Sequence, residues 1–218
     1  MRQIKRRAFS LLEVLAAIAV LGLLVAVAVP IFEKIRAGGD RTAAVANMRT
    51  IGQGISLYAA DHGGMLPGPL WPGQMPQLDP GREGRLVREL ASHLDIAVPS
   101  TPQVVALFVP PAYRRAVGNV ALSNARTFVL NMNTGTAAEP FQPWGSLTSQ
   151  PPLPPRSMAQ VPAAAWGFSD ADRLHPRVGA AAWKAETPAS KIHGSRRLAW
   201  FFNGSVGPVE EAELEMPR

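Results

Sequence analysis

One acidic side chain, Glu13, stands inside the most apolar stretch of the chain, which runs from Phe9 to Phe32. A carboxylate inside a membrane helix costs about 2.5–3.5 kcal/mol on insertion scales. A cation that meets the carboxylate offsets this cost, so Glu13 can form an ion pair in apolar surroundings. The alternative is a tolerated acid near a helix end that reaches the lipid headgroups. A signal segment that is cut off gains nothing from such a residue. Glu13 therefore favours a helix that stays attached to the mature protein.

A second group with potential chemistry is Asp170, Asp172 and His175. Two carboxylates and an imidazole within six residues could bind a cation such as calcium. Such stretches are more often solvated loops, so we predict no cofactor and no metal, and keep these three residues as the candidates for a cation site.

No known catalytic pattern occurs in the sequence. Cysteine is absent, which excludes thiolate nucleophiles and zinc-thiolate sites. There is no G-x-S-x-G elbow, no phosphate loop and no H-E-x-x-H sequence. We therefore predict that the chain is not an enzyme.

The stretch that holds Glu13 has the length of a membrane helix. Its 24 residues would span about 36 Å at ~1.5 Å per residue, enough for a hydrocarbon core of about 30 Å. Positive residues before such a helix stay on the cytoplasmic side, and here they are Arg2, Lys5, Arg6 and Arg7. Without these four residues the net charge of +6 falls to 18 basic against 16 acidic residues, so overall charge no longer favours nucleic-acid binding.

Three interpretations of this N-terminus are open on the residues alone. Ala26-Val27-Ala28 would suit a signal peptidase, which would release a chain that starts at Val29. Arg6-Arg7 resembles a twin-arginine signal. In the third interpretation the leader is cut before the apolar stretch and the helix is retained, as Glu13 favours.

The sequence from Lys5 to Leu15 resembles the cleavage and methylation signature of type IV prepilins and of type II secretion pseudopilins. The resemblance implies that the leader is cut after Ala8, that Phe9 becomes the methylated N-terminus, and that Glu13 is the fifth mature residue. Pro30 lies where many family members have a helix-bending proline. The family prefers Gly before the cut, so Ala8 is a departure that would slow cutting.

The C-terminal region resembles prepilin-type proteins of planctomycetes that have a His-x9-Asp-Gly motif. Here the motif residues are His193-Gly194 and Asn203-Gly204, with nine residues between His193 and Asn203. Asn203 replaces the usual Asp, and Asn-Gly is a strong signal for a two-residue hairpin turn. We expect a hairpin whose His193 bonds across this turn rather than a ligand site.

These patterns predict an α+β, pilin-like fold, with a long N-terminal helix, transmembrane in its first half, on a C-terminal antiparallel sheet. The expected segments are a leader (1–8), a transmembrane and assembly helix (9–35), the soluble half of the helix (36–62), a periplasmic globular domain (63–209) and an acidic, fraying tail (210–218). We expect Asp40 to cap a restart of the helix after Gly38-Gly39. Apolar spacing then predicts one buried helical face formed by Val45, Met48, Ile51, Ile55 and Tyr58. Further predicted elements are a loop at 63–81, a helix at 82–94, an extended loop at 139–162, and strands at 125–131, 163–169, 197–202 and 205–209.

The resemblance implies a structural subunit, a pseudopilin of a type II secretion-like pseudopilus, with one helix in the inner membrane and its domain in the periplasm. Its expected partners are other pilin-like subunits, the inner-membrane assembly platform and the prepilin peptidase, and no nucleic acid. One alternative is a minor type IV pilin for adhesion or DNA uptake, and another is a secreted or singly anchored periplasmic binding domain. A cationic patch would indicate the minor pilin, and its candidate members are Arg82, Arg85, Arg88, Arg114, Arg115, Arg126, Arg196 and Arg197.

Overall fold

The computed structural model describes residues 11–118, 120–136 and 138–215. Its first element, helix α1, runs without interruption from Leu11 to Asp61. The helix enters both compact units of the structure, whose boundary lies between Gly39 and Asp40. The restart predicted at Asp40 is therefore wrong. Two glycines cost roughly 1 kcal/mol each in a helix, which long helix-forming flanks on both sides outweigh.

The side chain of Asp40 forms an ion pair instead of a helix cap. Its carboxylate pairs with Arg115. Pro30 also lies inside α1, and the bend expected there stays a prediction.

The part of α1 that follows Asp40 packs one face against the domain core. Met48, Ile51 and Ile55 are fully buried, and Val45 and Tyr58 pack against the same cluster while partly exposed. This confirms the predicted helical face. The helix ends before Gly63 and Gly64, which have φ of 62° and 84°, as expected for a glycine stop signal.

The helix packs on an antiparallel sheet. In chain order the strands are β1 (Gly73–Gln74), β2 (Gln77–Leu78), β3 (Gln103–Val104), β4 (Phe128–Leu130), β5 (Trp166–Asp170), β6 (Arg197–Phe201) and β7 (Val206–Val209). Within the described residues, five of them form one sheet in the order β1-β4-β5-β6-β7, and β2 pairs with β3 apart from it. Besides α1, the described residues contain three short α-helices, α2 (Leu86–Glu89), α3 (Pro111–Ala116) and α4 (Glu211–Leu214).

The hairpin β6-β7 confirms the clearest strand prediction. Leu198 lies opposite Pro208 and Trp200 opposite Val206, and the turn between them contains Asn203 and Gly204. Strands β4 and β5 confirm the other two predicted strand regions. The helix predicted at 82–94 is shorter in the structure. Helix α2 ends at Glu89, and a separate 3₁₀ turn follows at Ser92–Leu94.

The acidic tail is folded where the described residues reach, so its prediction as a fraying end is wrong. Glu210 and Glu213 form a reciprocal capping box at the start of α4, which satisfies backbone donors at both positions. Leu214 is fully buried, and the indole N–H of Trp166 donates to the carbonyl of Glu213 at 2.9 Å.

The helix approaches the sheet closely where Gly52 of α1 meets Trp200 of β6. A Cβ atom at residue 52 would overlap the indole ring of Trp200. The same indole stacks on Phe168 of β5, with ring centroids 5.6 Å apart, and lies edge-on to Phe202. Only a residue without a side chain lets α1 reach this aromatic layer.

We expect Gly52→Ala to destabilise the folded domain by about 1–3 kcal/mol, the usual cost of overpacking a core. The urea midpoint of the full chain in detergent, followed by tryptophan fluorescence, measures the change. Gly39→Ala is the matched control, since no atom would contact its Cβ, and it should not lower the midpoint. An unchanged midpoint for Gly52→Ala would contradict the close approach.

Candidate functional site

The first half of α1 exposes apolar side chains on all its sides. About half or more of each of these side chains is exposed: Leu11, Leu12, Val14, Leu15, Ile18, Val20, Leu21, Leu23, Leu24, Val25, Val27, Val29, Ile31, Phe32 and Ile35. By length and composition the helix could cross a membrane. Soluble monomers rarely leave so large an apolar surface in water, so this surface indicates a membrane anchor.

Glu13 lies in the first turn of α1 and is exposed. It is surrounded along the helix by the apolar side chains of that surface, as the sequence predicts. The predicted cleavage and methylation residues, Ala8 and Phe9, lie outside the described residues. Their roles stay predictions from the sequence.

The fold brings together Asp170, Asp172 and His175, the candidate cation site, but their side chains contact other protein groups. All three residues are at most 1% exposed. Both oxygens of Asp172 pair with the guanidinium of Arg197, at 2.6 Å and 2.9 Å. The negative charge of Asp172, which would bind the cation in a metal site, is therefore paired with an arginine. Among the described residues, no group of three His, Cys, Asp or Glu is arranged to hold a metal ion.

Sequence reasoning missed Arg197 as the partner of Asp172. It is 2% exposed although it begins a strand, and a carboxylate 25 residues earlier gives no local signal of the pairing. A bidentate pair of this kind is strong and specific in orientation. It fixes the segment after β5 to the start of β6.

His175 is a neutral structural residue in this cluster. Its Nδ1 accepts the backbone N–H of Arg177 at 3.0 Å, so Nε2 carries the proton and donates to the hydroxyl of Ser169 at 2.9 Å. Burial, helped by Arg197 and Arg177, lowers the pKa of His175 to about 3. Both ring nitrogens are occupied, which leaves no lone pair for a metal.

His193 does not bond across the hairpin turn, so that prediction is wrong. It lies near the start of β6, with Asn203-Gly204 at the opposite end of the strand. Its side chain is 3% exposed, and Nε2 lies 3.6 Å from a carboxylate oxygen of Asp170 on β5. His193-Gly194 and Asn203-Gly204 therefore lie at opposite ends of β6 and form two separate local structures.

The turn itself behaves as predicted. Oδ1 of Asn203 accepts the backbone N–H of Ser205 at 2.9 Å and its hydroxyl at 2.7 Å, and Gly204 has φ of 83°. An Asp side chain would accept the same bonds, which explains why Asn can replace the usual Asp. Gly194 also has positive φ, 74°, next to the bridge that joins His193 to Arg196.

The contact between His193 and Asp170 is not a simple ion pair. Burial, with a smaller effect from Arg41, lowers the pKa of His193 to about 4. Burial also raises the pKa of Asp170 to about 7, although the N–H of Leu198 bonds its Oδ2 at 2.9 Å and opposes the rise. At neutral pH a neutral imidazole therefore faces a carboxyl group that is close to its own titration point.

Part of the predicted cationic patch forms. Burial lowers the pKa of Arg85 to about 10, and repulsion by Arg126 and Arg82 adds to this effect. Arg197 is removed from any surface patch by burial, and Arg115 is paired with Asp40.

We expect the stability of Asp170→Asn, relative to the unaltered chain, to rise with pH between about 4 and 7 and to be constant above. The raised pKa of Asp170 means that its protonated form stabilises the fold of the unaltered chain. This stabilisation is complete below about pH 4 and is lost as the pH rises through 7. The lowered pKa values of His193 and His175 act in the opposite sense. Their contribution is present above about pH 6.5 and is lost as pH falls, and the substitution leaves it in place.

Urea midpoints from pH 4.5 to 8 measure this difference. The matched control is Asp95→Asn, because Asp95 is exposed and has the left-handed backbone, φ 53°, that Asn tolerates. The Asp95 variant should follow the unaltered chain at every pH. A parallel profile for Asp170→Asn would mean that Asp170 is ionised throughout.

Residues 4–29 match the family model described as the prokaryotic N-terminal methylation motif. The match includes three of the basic residues of the leader, Lys5, Arg6 and Arg7, and also Ala8, Phe9 and Glu13. No curated protein and no solved structure matches the chain. The chain thus carries the N-terminal methylation motif of type IV prepilin-like proteins.

Proposed function

We propose that this chain is a pseudopilin, a structural subunit of a type II secretion-like pseudopilus. One observation carries the proposal: the methylation motif leads into a helix whose first half is apolar and uncovered on all its sides. A helix that only anchored the domain would need no acid at residue 13. A helix that packs with copies of itself can use that acid for a charge pair.

The assembly chemistry follows from the spacing of Phe9 and Glu13. Cutting after Ala8 creates a cationic amine on Phe9, and methylation keeps the charge. Four residues along a helix correspond to about 6 Å, so the amine of one subunit meets Glu13 of its neighbour best when the two are offset along the axis. Repeated offsets of one kind generate a helical stack.

The basic leader places the N-terminus on the cytoplasmic side. The domain is then periplasmic, the helix is a single pass through the inner membrane, and the subunit awaits extraction by an assembly platform. The prepilin peptidase is the second expected partner. In this proposal the chain catalyses no reaction itself. It is cut by the peptidase, methylated and assembled into the helical stack.

A minor type IV pilin for adhesion or DNA uptake would use the same helix. The observation in its favour is the group Arg82, Arg85 and Arg126 on the domain. Release at Ala28, the periplasmic-protein alternative, would discard Glu13 and the whole motif.

We expect the mature protein from membranes to begin with a methylated Phe9. Mass spectrometry of the N-terminal peptide measures this. A chain that begins at Val29 would mean a released protein, and an intact Met1 would mean a plain anchor. Ala8→Gly should be cut at least as fast, whereas Ala8→Leu should remain uncut because the residue before the cut must be small.

We expect Glu13→Gln to be cut and methylated but not assembled. Removing one member of a buried charge pair costs roughly 3–5 kcal/mol per contact, which reduces assembly more than a hundredfold. Crosslinking between subunits in membranes measures the loss.

Glu33→Gln is the matched control, since Glu33 lies on the same helix and is equally exposed. It should crosslink like the unaltered chain. Normal crosslinking of Glu13→Gln would disprove the charge pair and leave the processing result untouched.

A further inference from the structure

A cavity of about 450 Å³ opens beside the edge strand β1, within the soluble domain. It combines an aromatic and an aliphatic side chain with two arginines and one glutamate. Its lining residues are Trp71, Gly81, Arg82, Glu83, Arg85 and Leu147. Trp71 is 38% exposed although it is the largest of these side chains.

The walls of the cavity are held by the buried amide of Gln74. Its Nε2 donates to the carbonyl of Trp71 and, at 3.4 Å, to that of Gly84. Its Oε1 accepts the backbone N–H of Leu86 at 2.6 Å. Gln74 is fully buried, so the segment before the cavity and the segment after it are joined by one satisfied side chain.

Gly84 completes this construction. It has φ of 71°, and a Cβ there would overlap the side chains of Leu147 and Trp71. Its carbonyl also accepts the N–H of Trp71 at 3.1 Å. The apolar wall is therefore packed against the loop that carries the arginines.

Among the described residues, Arg85 has no carboxylate in direct contact, and the negative charge that acts on it, Glu186, is already paired with Arg126. Its Nη1 donates to the carbonyl of Gly73 at 3.0 Å, and its buried Nε has no hydrogen-bond partner among the described residues. Arg82 and Arg126 nearby have carboxylates at 3.2 Å, Asp79 and Glu186. In the described part of the chain no ion pair includes Arg85.

We propose that this cavity binds an oxyanion, a carboxylate or a phosphate, attached to a flat apolar body. The guanidinium of Arg85 holds the oxyanion through a charge-assisted hydrogen bond, and Arg82 adds a second positive charge at the rim. Trp71 and Leu147 cover the apolar body. The site belongs to the soluble domain, so it does not depend on the pseudopilin proposal.

Calorimetric titration of the full chain in detergent tests the site with inorganic phosphate, phenyl phosphate and benzoate. We expect phenyl phosphate to bind about tenfold more tightly than inorganic phosphate, since the ring buries apolar surface against Trp71. The tighter of phenyl phosphate and benzoate identifies the oxyanion. Absence of binding by all three probes, or equal binding of the two phosphates, would overturn the proposal.

Two substitutions should change the affinity in opposite directions. Arg85→Gln should weaken binding at least about tenfold because it removes the charge-assisted hydrogen bonds. Glu83→Gln should strengthen binding because it removes a competing carboxylate from the lining, and a misfolded domain would not gain affinity. Arg49→Gln, an exposed arginine on α1 outside the cavity, is the control. Equal losses for Arg85→Gln and Arg49→Gln would refute the role of Arg85.

Discussion

The packing of Gly52 against Trp200 is the contact on which the rest of the domain depends. It sets how closely α1 approaches β6, and through the stacked ring of Phe168 it sets the position of β5 as well. Aromatic pairs of this kind stabilise a core beyond the area that they bury. The two parts of the helix therefore differ in their side chains. After Asp40, small and apolar side chains lie on the one face that packs on the domain, whereas the earlier part is apolar on all sides.

This division explains which parts of the fold the sequence could predict. Local patterns predict two of its elements. An apolar spacing of three or four residues predicts the buried face of α1, and an Asn-Gly turn predicts the β6-β7 hairpin. Strands β1 to β3 have two residues each, which is too short for an alternation to be visible. Strand β1 forms because it pairs with β4, and β2 and β3 form because they pair with each other. Both pairings join residues that are far apart in the chain.

The candidate sites show the same limit. Glu13 and its apolar surroundings are a local pattern, and the structure places them as expected. Asp170, Asp172 and His175 are also close in the sequence, and they do come together. Their use was not predictable, because Arg197 lies 25 residues after Asp172, and only the antiparallel pairing of β5 with β6 brings it there. Of these three weak candidates for a cation site, Asp170 lies at the end of β5, and Asp172 and His175 lie in the segment that follows it.

A buried ionic cluster suits a domain with little regular structure. The chain has 19 glycines and 21 prolines, and much of the domain consists of loops. A bidentate pair such as Arg197 with Asp172 tolerates less misalignment than apolar packing does. Arg177 adds to this, with its Nε donating to the carbonyl of Leu214 at 2.7 Å. These polar contacts orient the segment that follows β5, beyond the end of the β5-β6 ladder.

The two outer strands of the sheet have a consequence for solubility at high concentration. Strand β1 has two residues, and β7 contains Pro208, which has no N–H to offer another chain. Long regular edges invite uncontrolled pairing and aggregation, and neither outer strand is of that kind. Copies of this domain can therefore come close together without pairing of their sheet edges.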